Sequence, residues 1–298
     1  MILKSKKILY ILFISVFLAY CKKENKEIKI VKDKNYELKI AINQKAILIL
    51  FPCFPCDIEN TKTEAKFLKN IENEGITTLL LGYNRKLYLT EIEKMEYAKT
   101  INSILNQNKI VKENIYIGGF SGGGNISVLL TNYLIKTKNT IQPKGIFAID
   151  SPLDMENLYF NAKSDIMKNL NNDAIEEGKF IIQMLENEIG KPEDNIENYK
   201  TLSPYIISNN STTNIEYLKN IKVRLYCEPS LEWQMKNRGR EYKELNSYVL
   251  EKTYNSLINL GCTKAEFIKT ENRGIRANGE IHPHSWSIVE KESLIKWI

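Results

Sequence analysis

The hydrophobic positions fall into two kinds of stretch. Short, nearly continuous apolar runs occur at 46–51, 76–81, 114–118, 145–149 and 223–227, the pattern of strands covered on both faces. Two further β-rich runs, 27–31 and 36–42, flank Lys32-Asp33-Lys34-Asn35, which predicts an opening hairpin, and 265–269 predicts a last strand. Between these runs the apolar residues recur every three or four positions. In 61–74, Ala65, Phe67, Leu68 and Ile71 predict a helix that Gly75 ends. Thr90 is placed to cap a helix over 91–106, and further helices are predicted over 125–135, 233–260 and 287–298.

Strands alternating with helices predict an α/β fold: a mostly parallel, doubly wound sheet with helices on both faces. Ligands of such sheets sit beyond the carboxyl ends of the strands. One segment breaks the rhythm. Residues 151–220 are Asn-rich and largely helical, far longer than the usual α/β connection of about 2–6 residues, which predicts a cap-like insertion.

The first 27 residues obey a different pattern. Lys4, Lys6 and Lys7 precede the apolar stretch 8–18, broken only by Tyr10 and Ser15, and a polar run begins at Lys22. Eleven residues make a signal-peptide core and are too few to span a bilayer comfortably. The ending Leu18-Ala19-Tyr20-Cys21 resembles a bacterial lipoprotein signal, with Tyr20 where a small residue is usual. That resemblance implies that residues 1–20 are removed, that Cys21 is acylated, and that 21–27 form a tether. The protein would then be exported and lipid-anchored to a bacterial membrane at the cell envelope. A plain secretory signal and an uncleaved anchor are the alternatives.

Composition narrows the chemistry. With 298 residues, 43% hydrophobic and 26% charged, the chain can bury a large core without metal or disulfide staples. The net charge of +6 is modest, and three of its lysines lie in the first seven residues, so a nucleic-acid partner is not expected. Only two histidines are present, His282 and His284, which excludes a His-rich metal site. Neither metal nor cofactor is expected: no zinc spacing, dinucleotide fingerprint or calcium loop occurs. Cys53-Phe54-Pro55-Cys56 has the spacing of a redox dithiol, but it follows a strand rather than opening a helix.

Gly119-Phe120-Ser121-Gly122-Gly123 matches G-x-S-x-G between a predicted strand and a predicted helix, and five of the fourteen glycines fall within 118–124. Such a turn lifts the serine hydroxyl off the sheet, and glycine two residues to either side avoids collision. The N–H of Gly122, opening the helix, can face a developing oxyanion.

With this motif and the element order, residues 28–298 resemble the α/β-hydrolase fold. The resemblance implies a serine hydrolase cleaving an ester, thioester or amide of a small-molecule or acyl substrate through an acyl-enzyme. Ser121 would be the nucleophile. The loop after the third strand, Pro52-Cys53-Phe54-Pro55, would supply the second oxyanion donor from the N–H of Phe54. The base would lie in Ile281-His282-Pro283-His284-Ser285-Trp286, at His284, which precedes a small residue and an aromatic. The acid is expected after the strand 223–227, where Ser230 takes the customary place. Glu232 is preferred to its neighbour Glu228, and Asp150, ending an earlier strand, is a third candidate. A non-catalytic hydrolase-fold binding protein is the alternative.

Overall fold

The computed structural model describes residues 28–82 and 86–298. The proposed leader and tether, residues 1–27 with Cys21, lie outside them. Eight strands form one sheet among the described residues: β1 (Lys29–Lys32), β2 (Tyr36–Ile40), β3 (Ala46–Phe51), β4 (Ile76–Leu81), β5 (Ile115–Phe120), β6 (Pro143–Ile149), β7 (Lys222–Cys227) and β8 (Ala265–Lys269). Their order is β1-β2-β4-β3-β5-β6-β7-β8. The first hairpin and its join to β4 are antiparallel; every later pairing is parallel. This is the mostly parallel sheet of the α/β-hydrolase architecture that the sequence resembles.

The uninterrupted hydrophobicity of β3 has a direct cause. Side chains alternate faces along a strand. Ile47, Ile49 and Phe51 enter a cluster with Leu79, Ile101, Ile117, Ile126 and Leu130. Leu48 and Leu50 point the other way, into a cluster with Phe67, Phe147, Ile149, Trp286 and Trp297. Helices α2 (Glu91–Gln107) and α3 (Gly122–Lys136) cover the first face, and the closing helix α9 (Lys291–Trp297) covers the second. Each such fully buried side chain contributes about 1.5–3 kcal/mol relative to exposure.

Two predicted helices are broken. Over 61–74 the chain forms α1 (Ile58–Glu64) followed by two 3-10 turns, Lys66–Leu68 and Ile71–Glu74. Asp57 starts α1 early by accepting the Asn60 N–H at 2.8 Å, and Asn70, at φ 57°, interrupts the later turns. Ala65, Phe67 and Ile71 still reach the core. Over 233–260 the chain forms α7 (Leu231–Arg238), stopped by left-handed Gly239, and then α8 (Asn246–Asn259). Between β6 and β7 stand α4 (Met155–Lys168), α5 (Asn172–Glu188) and α6 (Pro192–Leu202). Asp154 anchors their start, accepting from Asn157 N–H at 2.9 Å and from Ile207 N–H at 2.8 Å.

The strand order reverses about β3, whose neighbours are β4 and β5. Crevices open at such reversals, beyond the carboxyl ends of the strands. The loop after β3 and the serine after β5 therefore meet there.

Candidate active site

Ser121 follows β5 directly and holds φ 55°, ψ −125°, a strained conformation for a residue with a side chain. Its N–H donates to the Ile149 carbonyl at 2.9 Å, and its own carbonyl accepts from Gly124 N–H at 3.0 Å. The flanking glycines are steric necessities. A Cβ at Gly119 would lie 2.2 Å from the Gly123 carbonyl oxygen, and one at Gly123 would lie 2.2 Å from that of Pro52. The strand, the turn and the loop after β3 are thus pressed together backbone against backbone. Ser121, partly exposed at the tip, borders a cavity of about 540 Å³.

The loop after β3 brings Phe54 beside Gly122: a Cβ built on Gly122 would stand 3.2 Å from the Phe54 Cβ. The first N–H groups of α3, that of Gly122 included, have no acceptor within their own helix. The two residues expected to hold an oxyanion are therefore neighbours, and Phe54 lines the cavity. Cys53 and Cys56 are bonded to each other, with Cα atoms 5.0 Å apart, so the Cys-x-x-Cys pair closes this loop as a disulfide.

His284 borders the same cavity, in the loop between β8 and α9. Its ring packs on Phe120, the residue before the serine, with centroids 4.5 Å apart. Its Nδ1 lies 2.6 Å from Oδ2 of Asp150. Asp150 directly follows β6, is 6% exposed, and adopts φ 39°. Its backbone is clamped on both sides: the N–H donates to the Tyr226 carbonyl at 2.8 Å and the carbonyl accepts from Asn246 Nδ2 at 2.9 Å. With Nδ1 engaged by a buried carboxylate, the imidazole has Nε2 free to accept a proton.

The structure does not bring Glu232 to His284, contrary to the sequence expectation. Ser230 turns the chain in the left-handed region at φ 42°, and α7 begins at once. Glu232 consequently sits exposed in the first helical turn, where a carboxylate complements the helix dipole. Glu228 does line the cavity, but its carboxylate is spent on two backbone amides and a hydroxyl: it accepts from Arg273 N–H at 2.9 Å, Gly274 N–H at 3.0 Å and Thr270 Oγ1–H at 3.0 Å. Asp150, ranked third in sequence, is the carboxylate that reaches the ring. Its position one strand earlier was visible; its inward turn was not.

His282 is buried, and burial pushes its imidazole down to about 4, with the positive charge of Arg276 acting in the same direction. It is therefore neutral across the ordinary pH range. Its ring meets Trp233 edge-on at 4.8 Å.

The remaining walls combine apolar and charged groups. Leu158 of α4 and Phe180, Ile181 and Met184 of α5 line one side. Arg238 of α7 reaches Glu177 of α5 at 2.7 Å, tying the two helices together beside the cavity. Burial favours the neutral Glu177 carboxyl, but the Arg238 guanidinium outweighs it and holds the group below the usual carboxylate range. Arg240 makes a forked pair with the buried Asp165 of α4. Composition alone gave no means of locating these pairs.

No family model matches this chain, and no curated protein matches it in sequence. Solved structures match it in fold. MPT51 of Mycobacterium tuberculosis superposes with a TM-score of 0.57 at 13% identity, covering 91% of this chain and 95% of its own. An esterase of Rhizomucor miehei gives 0.56 at 14% identity, over 91% and 80% of the two chains. An esterase/lipase from an uncultured bacterium gives 0.53 at 11%, over 91% and 83%. At these identities the likeness carries the architecture, and that architecture is the α/β-hydrolase fold.

Proposed function

We propose that this chain is a serine hydrolase that cleaves a carboxylic ester, thioester or amide through an acyl-enzyme. The observation that carries this is the Asp150–His284 pair at 2.6 Å, bordering one cavity with a serine on a strained strand-to-helix turn. In this mechanism Ser121 Oγ attacks the carbonyl carbon while Nε2 of His284 takes its proton. Asp150 holds the ring with Nε2 turned to the reaction and stabilises the imidazolium that forms. The N–H groups of Gly122 and Phe54 receive the oxyanion. Collapse of the tetrahedral intermediate expels the leaving group, which takes the proton back from His284. Water, deprotonated by the same imidazole, then releases the acid and regenerates Ser121.

The occurrence of esterases among proteins of this fold supports the reaction class. The apolar wall of Leu158, Phe180, Ile181 and Met184 suits a hydrocarbon portion of the substrate. The test is covalent: a fluorophosphonate probe should label wild-type protein at Ser121, and Ser121→Ala should lose both label and hydrolysis of a short p-nitrophenyl ester. Equal labelling of the two proteins would end this mechanism.

We also infer that Cys21 bears the lipid that anchors the protein to a bacterial membrane, the tether 21–27 leading into the fold. The residues concerned lie outside those the structure describes, and support comes from the pattern of 1–27 alone. Mass spectrometry of the mature amino terminus checks it. Acylation at Cys21 is expected; an unmodified Cys21 on exported protein would refute the anchor and leave the hydrolase mechanism intact.

A further inference from the structure

The histidine loop is held by a continuous hydrogen-bonded chain that begins far from His284 in sequence. Glu228, 4% exposed at the end of β7, accepts the N–H groups of Arg273 and Gly274. The Gly274 carbonyl accepts the N–H of His282 at 2.8 Å. Nδ1 of His282 in turn accepts the N–H of His284 at 3.2 Å, and the His284 ring meets Asp150. The approach of the two segments is very close: a Cβ on Gly274 would lie 2.5 Å from the His282 carbonyl oxygen and 2.7 Å from the Pro283 Cα. An antiparallel bridge between Ile275 and Ile281 continues the contact.

We propose that Glu228 and His282 are positioning residues, which hold the backbone at His284 so that its ring sits between Asp150 and the cavity. The kinetic consequences rest on the proposed function; the positioning itself does not. Two features single out these side chains. Glu228 is a carboxyl group buried at the cavity, yet it is turned toward the backbone amides of Arg273 and Gly274. His282 accepts through Nδ1, which requires the Nε2–H tautomer, and a protonated ring could not accept at all. The ring is kept neutral by its burial. Misplacing a catalytic group by about 1 Å can cost about a hundredfold in rate. A brace of this kind therefore acts on kcat without touching the reacting atoms.

Replacement of His282 by residues that keep or remove the acceptor distinguishes positioning from packing. His282→Asn places an amide oxygen near the former Nδ1, whereas His282→Leu fills similar space without an acceptor. The Asn variant should retain kcat within about threefold, and the Leu variant should lose about ten- to a hundredfold with KM little changed. Glu228→Gln, which turns an amide NH₂ toward a backbone donor, should lose kcat in the same range. A second readout needs no substrate. The chain has only two histidines, so in protein labelled with ¹⁵N-histidine the Nδ1–H signal of His284 is assigned by one substitution. That signal should persist in His282→Asn and broaden in His282→Leu and Glu228→Gln. Leu equal to or better than Asn at position 282 would overturn the proposal. So would an unchanged His284 signal in both His282→Leu and folded Glu228→Gln. If Glu228→Gln does not fold, the His282 pair decides. A wild type inert to every ester and to fluorophosphonate would sink the hydrolase mechanism, while the NMR comparison would still judge the brace.

Discussion

Asp150 and Glu228 occupy equivalent places at the ends of adjacent strands, β6 and β7, and both are buried beside the same cavity. Their partners differ completely. Asp150 offers its carboxylate to an imidazole at 2.6 Å and has its own backbone fastened by Tyr226 and Asn246. Glu228 offers its carboxylate to the amides of residues 273 and 274. Proximity to a cavity therefore does not define what a buried acid does. Its hydrogen-bond partners do, because a buried carboxylate must be satisfied and can serve only those groups that satisfy it.

The largest effect is expected from neutralising the acid on the ring. Asp150→Asn should lower kcat by about 10³–10⁴, since the amide favours the wrong imidazole tautomer while leaving the fold intact. Steady-state kinetics with circular dichroism checks this, and near wild-type turnover in Asp150→Asn would remove its proposed role. A smaller effect on rate but a large one on folding is expected at the turn that aims the serine. Gly123→Ala places a methyl 2.2 Å from a backbone carbonyl, so stability should fall by several kcal/mol, and a thermal melt reads it directly.

The pH dependence sharpens the contrast between the two histidines. His282 titrates near 4 in the folded protein against about 6.5 in an unfolded chain. Between these values the unfolded chain binds more protons at this residue, so the contribution of His282 to stability rises with pH across that window and is lost on acidification. Chemical denaturation at pH 7 and pH 4.5 should show this slope, and His282→Asn should flatten it; an identical slope in the variant would assign the acid sensitivity elsewhere. The smallest effect belongs to Glu232. Being exposed on α7 with no tie to His284, Glu232→Gln should leave turnover unchanged and stability within about 0.5 kcal/mol. A large rate loss there would restore Glu232 as the acid and displace Asp150.

Much of the molecule was legible in its residues. The apolar runs of β3 to β7 declared strands buried on both faces, because period-two side chains feed two cores at once. The G-x-S-x-G turn was legible because glycine at 119 and 123 answers a local collision. His284 was reachable because only two histidines exist and both fall in one loop. The residue pattern predicts unbroken helices over 61–74 and 233–260, whereas the chain leaves the helix at Ala65 and at left-handed Gly239, backbone turns that helical spacing does not record.

What sequence alone determined is therefore what neighbouring residues decide among themselves: which face is apolar, where a strand gives way to a turn, where a serine is lifted from the sheet. Tertiary structure alone decided the rest. Asp150 and His284 are 134 residues apart, and their pairing depends on the lateral order β5-β6-β7-β8 and on a left-handed turn at 150. Glu228 and Gly274 are 46 apart and meet because β7 and β8 are neighbours. The cavity wall likewise needs Glu177 and Arg238, 61 residues apart, to face each other. Local patterning carries no record of which strand ends lie side by side; the packing of both faces of the sheet sets that, and with it the partner each buried charge receives.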